Sequence, residues 1–301
     1  VEDNKNNNDP LGHFRQRFFL KEGQIYMCGN SLGLATRDAE ECVLEVMDQW
    51  KAHGIKIWTV DDNKYYLYSN YLAELMAPIV GADPDEVTVF GGTTMNIHQV
   101  ISTFYKPTKD KYKILVDNIN FPTDRYAVDR SSAAIYINRR HFKMLPGLAG
   151  WYGNKIETQF LLGWQIGTPN VLSKASLEGA LRVVNEAGIP NMRKKSLNIT
   201  AYLMYLIENK LGNCGFKIGN LREDSRRGGH VCLEHDEAYR ISIALKSRGV
   251  VQDFREPNVI RLTPTALYTS YEEVYNIVDI LLDIVNTESY KTVSANRNYV
   301  V

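Results

Sequence analysis

The chain has 301 residues, 44% of them hydrophobic, with Lys plus Arg equal to Asp plus Glu at 35 each. That size allows a sizeable core and two domains, and the balanced charge excludes broad electrostatic attachment to nucleic acid or to an anionic membrane surface. No apolar run reaches the ~20 residues that span a bilayer, residues 1–9 are polar, and the 4 cysteines are too scattered for a disulfide framework, so a cytoplasmic, reduced protein is expected.

Residues 10–34 mix aromatic with Gly and Ser positions, the composition of an arm that packs onto something else. Ala39, Cys42, Val43, Val46, Met47 and Trp50 recur at helical spacing and predict a helix over 36–52, with Thr36 as its cap. A second helix is predicted over 64–80, ended by Gly81. Val87–Phe90 reads as a short strand that runs through Gly91, Gly92, Thr93 and Thr94 into the helical pattern Ile97, Val100, Ile101, Phe104. This order puts free backbone amides and hydroxyls at a helix N-terminus, which suits a phosphate and equally a plain capped turn. Lys113–Val116 reads as the next strand, followed by Phe121, Pro122, Thr123 and Asp124 where ligand-facing loops of α/β sheets lie. An aromatic face, a hydroxyl and a carboxylate suit a pyridine ring, although a Pro turn with an Asx cap has the same composition.

After that loop only Ala133–Ile137 looks like a strand, too little to complete a parallel sheet covered on both faces. The large domain therefore looks unfinished. Leu172–Leu211 is helical and broken near Gly188-Ile189-Pro190. The remainder reads as a small α/β unit, with strands at Gly215–Ile218, Val231–Leu233 and Val259–Thr263 and a helix over Glu237–Arg248 closed by Gly249. A last helix starts at Ser270, with Glu273 as capping-box partner, and buries Val274, Ile277, Val278, Leu281, Ile284 and Val285. Arg261 lies in an apolar strand, either at an exposed edge or turned inward to grip a carboxylate with its planar fork. His230, Cys232 and His235 read as a solvated strand edge, no metal site is expected, and Arg226-Arg227-Gly228-Gly229 reads as a flexible surface loop.

Several strings in order carry a family resemblance. Asp9-Pro10-Leu11, His13-Phe14-Arg15, and Ile25–Cys28 followed by Gly29-Asn30-Ser31-Leu32-Gly33-Leu34 resemble the N-terminal part of the kynureninase family. Thr94–His98, Phe104–Thr108, Phe121–Asp124 with Tyr126-Ala127, Leu148–Gly153, Arg248–Val251 and Ile260–Pro264 continue the match over nearly the whole chain. The resemblance implies an α/β protein of pyridoxal-phosphate fold type I. Its large domain has a mostly parallel central sheet flanked by helices, and a smaller α/β domain follows. It divides the chain into an arm (1–34), a large cofactor domain (35–170), and a linking helix with the small domain (171–301). The implied activity is hydrolysis of L-kynurenine, or its 3-hydroxy form, to an anthranilate and L-alanine, in tryptophan catabolism and NAD biosynthesis, by a homodimer.

Residue by residue, the resemblance assigns Thr93 and Thr94 to the cofactor phosphate and Phe121 to ring stacking, with Pro122, Thr123 and Asp124 in the same string. Trp151 matches a tryptophan that reaches the phosphate across a dimer interface, and Thr168 falls where relatives often carry Asn. Arg261 matches the arginine that grips the substrate α-carboxylate, while Ser31 and His53 match positions near its aromatic end. The family's Asp-x-Ala-His segment and the Ser-x-Lys segment with the Schiff-base lysine have no counterpart, so no catalytic lysine is assigned. Both would fall between Arg130 and Ser131, where about a small domain's worth of chain is missing, and a smaller omission fits near 160/161. Three readings stand: a longer polypeptide whose active-site segment is left out of these residues, which is the expectation here; a true deletion; or a degenerate relative. In the first case these residues by themselves are expected to be cofactor-free. The alternatives in function are another class V enzyme such as a cysteine desulfurase, and a catalytically dead dimeric binding protein.

Overall fold

The computed structural model describes residues 9–106, 108–110, 132–136, 164–165 and 167–294. In chain order the helices and strands are β1 (Ile25–Tyr26), α1 (Arg37–His53), α2 (Tyr68–Val80), β2 (Val87–Gly92), α3 (Thr93–Phe104), β3 (Ser132–Tyr136), α4 (Val171–Ala187) and α5 (Ile189–Leu211). There follow β4 (Lys217–Ile218), β5 (Val231–Glu234), α6 (Ala238–Ser247), β6 (Val250–Val251), β7 (Asp253–Arg255), β8 (Val259–Leu262) and α7 (Tyr271–Asn286). The chain divides into two compact units, residues 38–185 and residues 1–37 with 186–301.

In the unit of residues 38–185, α1 buries Cys42 and Val46 against Leu72 of α2 and Ala175 and Leu181 of α4. Trp50, expected on that face, is 55% exposed, because the 3-10 turn after α1 carries Ile57 into the core and leaves Trp50 over a surface hollow beside Ile55 and Trp58. Helix α2 starts at Tyr68 rather than at residue 64, since its N-cap Leu67 sits at φ -96° and ψ 19°, outside the α-helical region. It ends as expected at Gly81, whose φ of 69° lets its N–H reach Ala77 O. Strand β2 pairs antiparallel with β3, Val87 facing Tyr136 and Phe90 facing Ala133, and runs directly into α3. The expected strand Lys113–Val116 lies outside the described residues.

The second unit is built from both ends of the chain. An antiparallel sheet of order β4-β5-β8-β7 packs beneath α5, α6 and α7, and Leu203, Leu233, Ile241, Ile260, Ile277 and Leu281 are fully buried in one cluster. Helix α7 has the expected capping box, with Ser270 Oγ accepting from Glu273 N at 3.1 Å and Glu273 Oε2 accepting from Ser270 N at 2.8 Å. The arm packs onto this unit. Its Leu11, Phe14 and Phe18 are buried, Lys195 Nζ meets Asp9 Oδ2 at 2.6 Å, and Arg15 makes a two-pronged pair with Glu273 at 2.7 and 2.8 Å. Strand β1 adds to β6 in parallel, Ile25 facing Val250.

Two sequence expectations fail here. Strands β5 and β8 are interior strands of the sheet, so neither Arg261 nor the His230–His235 stretch lies on a sheet edge. Arg227 is not on a loose loop: it is 7% exposed, and its guanidinium bonds Leu197 O at 3.0 Å, Asp224 Oδ1 at 2.6 Å and Thr200 Oγ1. Backbone and hydroxyl acceptors on α5 supply the partners that make burial of that charge tolerable.

Candidate active site

In the unit of residues 38–185, β2 ends in Gly91, which has a φ of 56°, a value that favours glycine. A Cβ there would also lie 3.1 Å from Asn96 Oδ1, and Asn96 is fixed by donating from Nδ2 to Phe90 O at 3.2 Å. Gly92 is the N-cap of α3, with no side-chain cap hydrogen bond, and Thr93 is its first helical residue, with Thr94 next. The N-terminus of this twelve-residue helix, with Thr93 and Thr94 in its first turn, carries the positive end of the helix dipole. A helix N-terminus with hydroxyl residues in its first turn is the kind of feature that suits a phosphate. Thr168 is exposed and shares a cavity of about 510 Å³ with Trp58, Asn63 and Tyr66. His53 closes α1 and is exposed.

A neighbouring cavity of about 320 Å³ is lined by Gly91, Met95, Gln165, Asn170, Ser173 and Lys174, among others. Lys174 is 6% exposed, and burial pushes its ammonium down to about 8. Its Nζ meets Ser69 Oγ and lies 3.4 Å from Gln165 Oε1, with no carboxylate partner among the described residues. Sequence reading missed this lysine. The signal was its place three residues after Val171 and one before Ala175, on the face of α4 that turns inward.

In the other unit, the Gly29–Gly33 string lies against the chain that follows β8. Thr263 N donates to Met27 O at 2.9 Å, and Thr263 Oγ1 donates to Asn30 Oδ1 at 2.7 Å. A Cβ on Gly29 would collide with Thr265 Oγ1 and lie 2.8 Å from the Tyr268 hydroxyl, so only glycine fits there. Ser31 is exposed on this string, and its N–H bonds Cys28 O at 3.1 Å. Arg261 turns its fork toward Asp253, donating from Nε to Oδ2 at 2.7 Å and from a terminal nitrogen to the same oxygen. The carboxylate it grips in this structure is thus Asp253, on the adjacent strand β7. Burial, then Asp253, raises the Cys28 thiol, while burial, then Arg261, lowers His230. Ser31 and Arg261 belong to one unit and Thr93, Thr168 and His53 to the other. Phe121, Pro122, Thr123, Asp124 and Trp151 lie outside the described residues.

Residues 192–281 match the family model "Kynureninase C-terminal domain". A kynureninase of Geobacillus thermodenitrificans (strain NG80-2) is 36% identical over 408 aligned positions, covering 97% of this chain and 95% of that protein. One of Bacillus anthracis is also 36% identical over the same coverage. Since 408 positions exceed a chain of 301 residues, the relatives carry a long stretch with no counterpart here. Among solved structures, the fold is similar to a cysteine desulfurase of Thermococcus onnurineus NA1 (TM-score 0.67, 11% identity, 95% of this chain and 98% of that one). It is also similar to a C-DES mutant with glycine covalently linked to the PLP cofactor (TM-score 0.65, 13% identity, 89% and 99%). The chain thus has the α/β fold of these pyridoxal-phosphate enzymes. Among the described residues no helix is long and apolar enough to cross a membrane.

Proposed function

Because this chain belongs to the kynureninase family, we propose that it hydrolyses L-kynurenine, or its 3-hydroxy form, to an anthranilate and L-alanine. It is a pyridoxal-phosphate-dependent hydrolase acting on a carbon–carbon bond of a ketonic substrate. The observation that carries this reading is 36% identity running through 97% of the chain. When bound, the cofactor supplies the electron sink into which the substrate's Cβ–Cγ bond is cleaved. Thr93, Thr94 and the first amides of α3 hold its phosphate. Phe121 stacks on its ring, Pro122, Thr123 and Asp124 complete that loop, and Thr168 contacts the cofactor or substrate. Arg261 orients the substrate through its α-carboxylate, using donors that Asp253 leaves open, and Ser31 and His53 lie near the aromatic end. The enzyme works as a cytoplasmic homodimer, with Trp151 reaching the partner's cofactor phosphate. Residues 1–34, 35–170 and 171–301 serve as arm, cofactor part and closing part.

The lysine that moves the proton in the family has no counterpart among these 301 residues, so turnover belongs to a polypeptide that carries the segment missing at 130/131. A second reading holds only if the natural polypeptide truly lacks that segment, in which case the 301-residue chain is a dimeric binding protein that does not turn over. Likeness to a cysteine desulfurase and to C-DES is one of fold, at 11% and 13% identity, and does not favour cysteine as substrate. Intact mass of the natural polypeptide, together with release of fluorescent anthranilate from kynurenine, decides between the two. A mass well above 34.3 kDa with turnover supports the hydrolase. A mass of 34.3 kDa with kynurenine binding but no anthranilate establishes the binding protein.

A further inference from the structure

In the unit of residues 38–185, the cavity of about 320 Å³ combines apolar walls with one charged corner. Val89, Phe90, Met95 and Leu177 supply apolar lining. The corner is the Lys174 ammonium, 6% exposed and held by Ser69 Oγ and by Gln165 Oε1 at 3.4 Å. Ser69 Oγ donates its own proton to Val89 O at 2.9 Å, so toward Lys174 it is only an acceptor. Both partners are neutral. Among the described residues a three-donor ammonium is thus left with one N–H unpaired and its charge uncompensated. Gln165 repeats the shortfall: it is 1% exposed, its carbonyl end faces Lys174, and its Nε2 is buried without a hydrogen-bond partner. Both residues line the cavity. A buried donor without an acceptor loses its hydration uncompensated, and a buried charge without a countercharge costs more. Two adjacent groups therefore lack the same thing, an anionic acceptor.

We propose that this cavity binds a small monocarboxylate with an apolar body. One carboxylate oxygen accepts from Lys174 Nζ and the other from Gln165 Nε2, while the hydrocarbon part lies against Phe90, Met95 and Leu177. The match is first one of charge. A carboxylate brings a single negative charge to a single ammonium, whereas a phosphate dianion would carry an unpaired charge into the interior. Its two oxygens also match two neighbouring donors. The volume, about 320 Å³, falls in the range of small-ligand pockets, about 300–1,000 Å³. Burial lowers the proton affinity of Lys174 to about 8, so at pH 7 the amine is still mostly the ammonium that an anion needs. Arg261, which the reading above assigns to the substrate α-carboxylate, lies in the other unit, and the proposal does not depend on that assignment.

The test is titration calorimetry of the full chain at pH 7 with cyclohexanecarboxylate, with its neutral amide, and with inorganic phosphate as competitor. The acid should bind at least roughly tenfold more tightly than the amide, since only the acid brings the countercharge. Lys174→Met should weaken the acid to the level of the amide, and Gln165→Met should weaken it by roughly three- to tenfold. Lys174→Met removes an unpaired buried charge, so it should fold at least as well as the parent. The acid should then raise the melting temperature of the parent but not of this variant. The comparison of acid, amide and phosphate uses the unaltered chain and needs no variant. Equal binding of acid and amide, displacement by phosphate, or no heat at millimolar acid would overturn the proposal. So would binding that survives Lys174→Met; if Arg261→Gln then abolishes it, the carboxylate sits at Arg261 and the reading of that residue gains support.

Discussion

Two lysines, one in each unit, are each 6% exposed, and burial lowers the proton affinity of both. Lys195, on α5, meets the carboxylate of Asp9, itself buried, at 2.6 Å and so pins the arm. Lys174, on α4, has a hydroxyl and an amide carbonyl as its polar partners among the described residues. The difference teaches what burial alone does not decide. A charge taken out of water together with its partner joins distant parts of the chain, whereas one taken out without a countercharge holds its proton less tightly and costs stability.

Removing the partner should have the largest effect. Asp9→Asn leaves the Lys195 charge uncompensated and should destabilise the second unit by about 3–5 kcal/mol, measured as a lower urea midpoint with release of the arm to protease. An unchanged midpoint would make the pair a surface ornament. Lys174→Met should act in the opposite direction. With the folded-state pKa near 8 and the unfolded value at 10.5, both states carry the proton below pH 8, and the interior charge then costs about 3 kcal/mol. Between pH 8 and 10.5 only the folded state has shed it, so stability rises with pH through that window and levels off above it. The methionine variant should be more stable at pH 7 and should lose this rise, as read from denaturant unfolding at pH 7 and pH 10. Parallel slopes for the two proteins would contradict it.

Smaller effects sharpen the contrast from the side of the arm. Gly29→Ala places a Cβ against the Thr265 and Tyr268 hydroxyls and should cost about 1–3 kcal/mol, lowering the melting temperature together with arm protection in hydrogen exchange. Ser270→Ala removes the acceptor for Glu273 N and should cost about 1 kcal/mol, visible as a small midpoint shift without loss of the arm. Equal exchange rates at Ile25–Tyr26 in the Gly29 variant and the parent would show that the string is not what seats β1.

Much of this was legible in the sequence because it is local. The apolar periodicity of α7 and its Ser270–Glu273 box lie in one window, as does the break between α4 and α5 at Gly188, whose φ of 76° ends one helix before the next. The turn from β2 into α3 was legible for the same reason. What sequence missed depends on partners far along the chain. A two-residue strand such as β1 has no periodicity to read, and its pairing with β6 is set by where residues 249–251 fall. Arg227 looked like a loop residue because, beside nearby Asp224, its acceptors Leu197 O and Thr200 Oγ1 sit on α5. Lys174 looked like one polar residue in an amphipathic helix, and only the packing of α4 turns it inward. Arg261 was singled out for its chemistry, yet Asp253, which engages it, was not read as part of the site.

The second unit takes residues from both ends of the chain, with the arm seated by β6, Lys195 and Glu273. During synthesis the arm leaves the ribosome before α5, β6 and α7, and it is not fully seated until α7 has emerged. The apolar Leu11, Phe14 and Phe18 stay uncovered throughout that interval. Closing a loop of that length is the step that sets the pace of assembly, and the nascent arm is the segment a chaperone would have to shield.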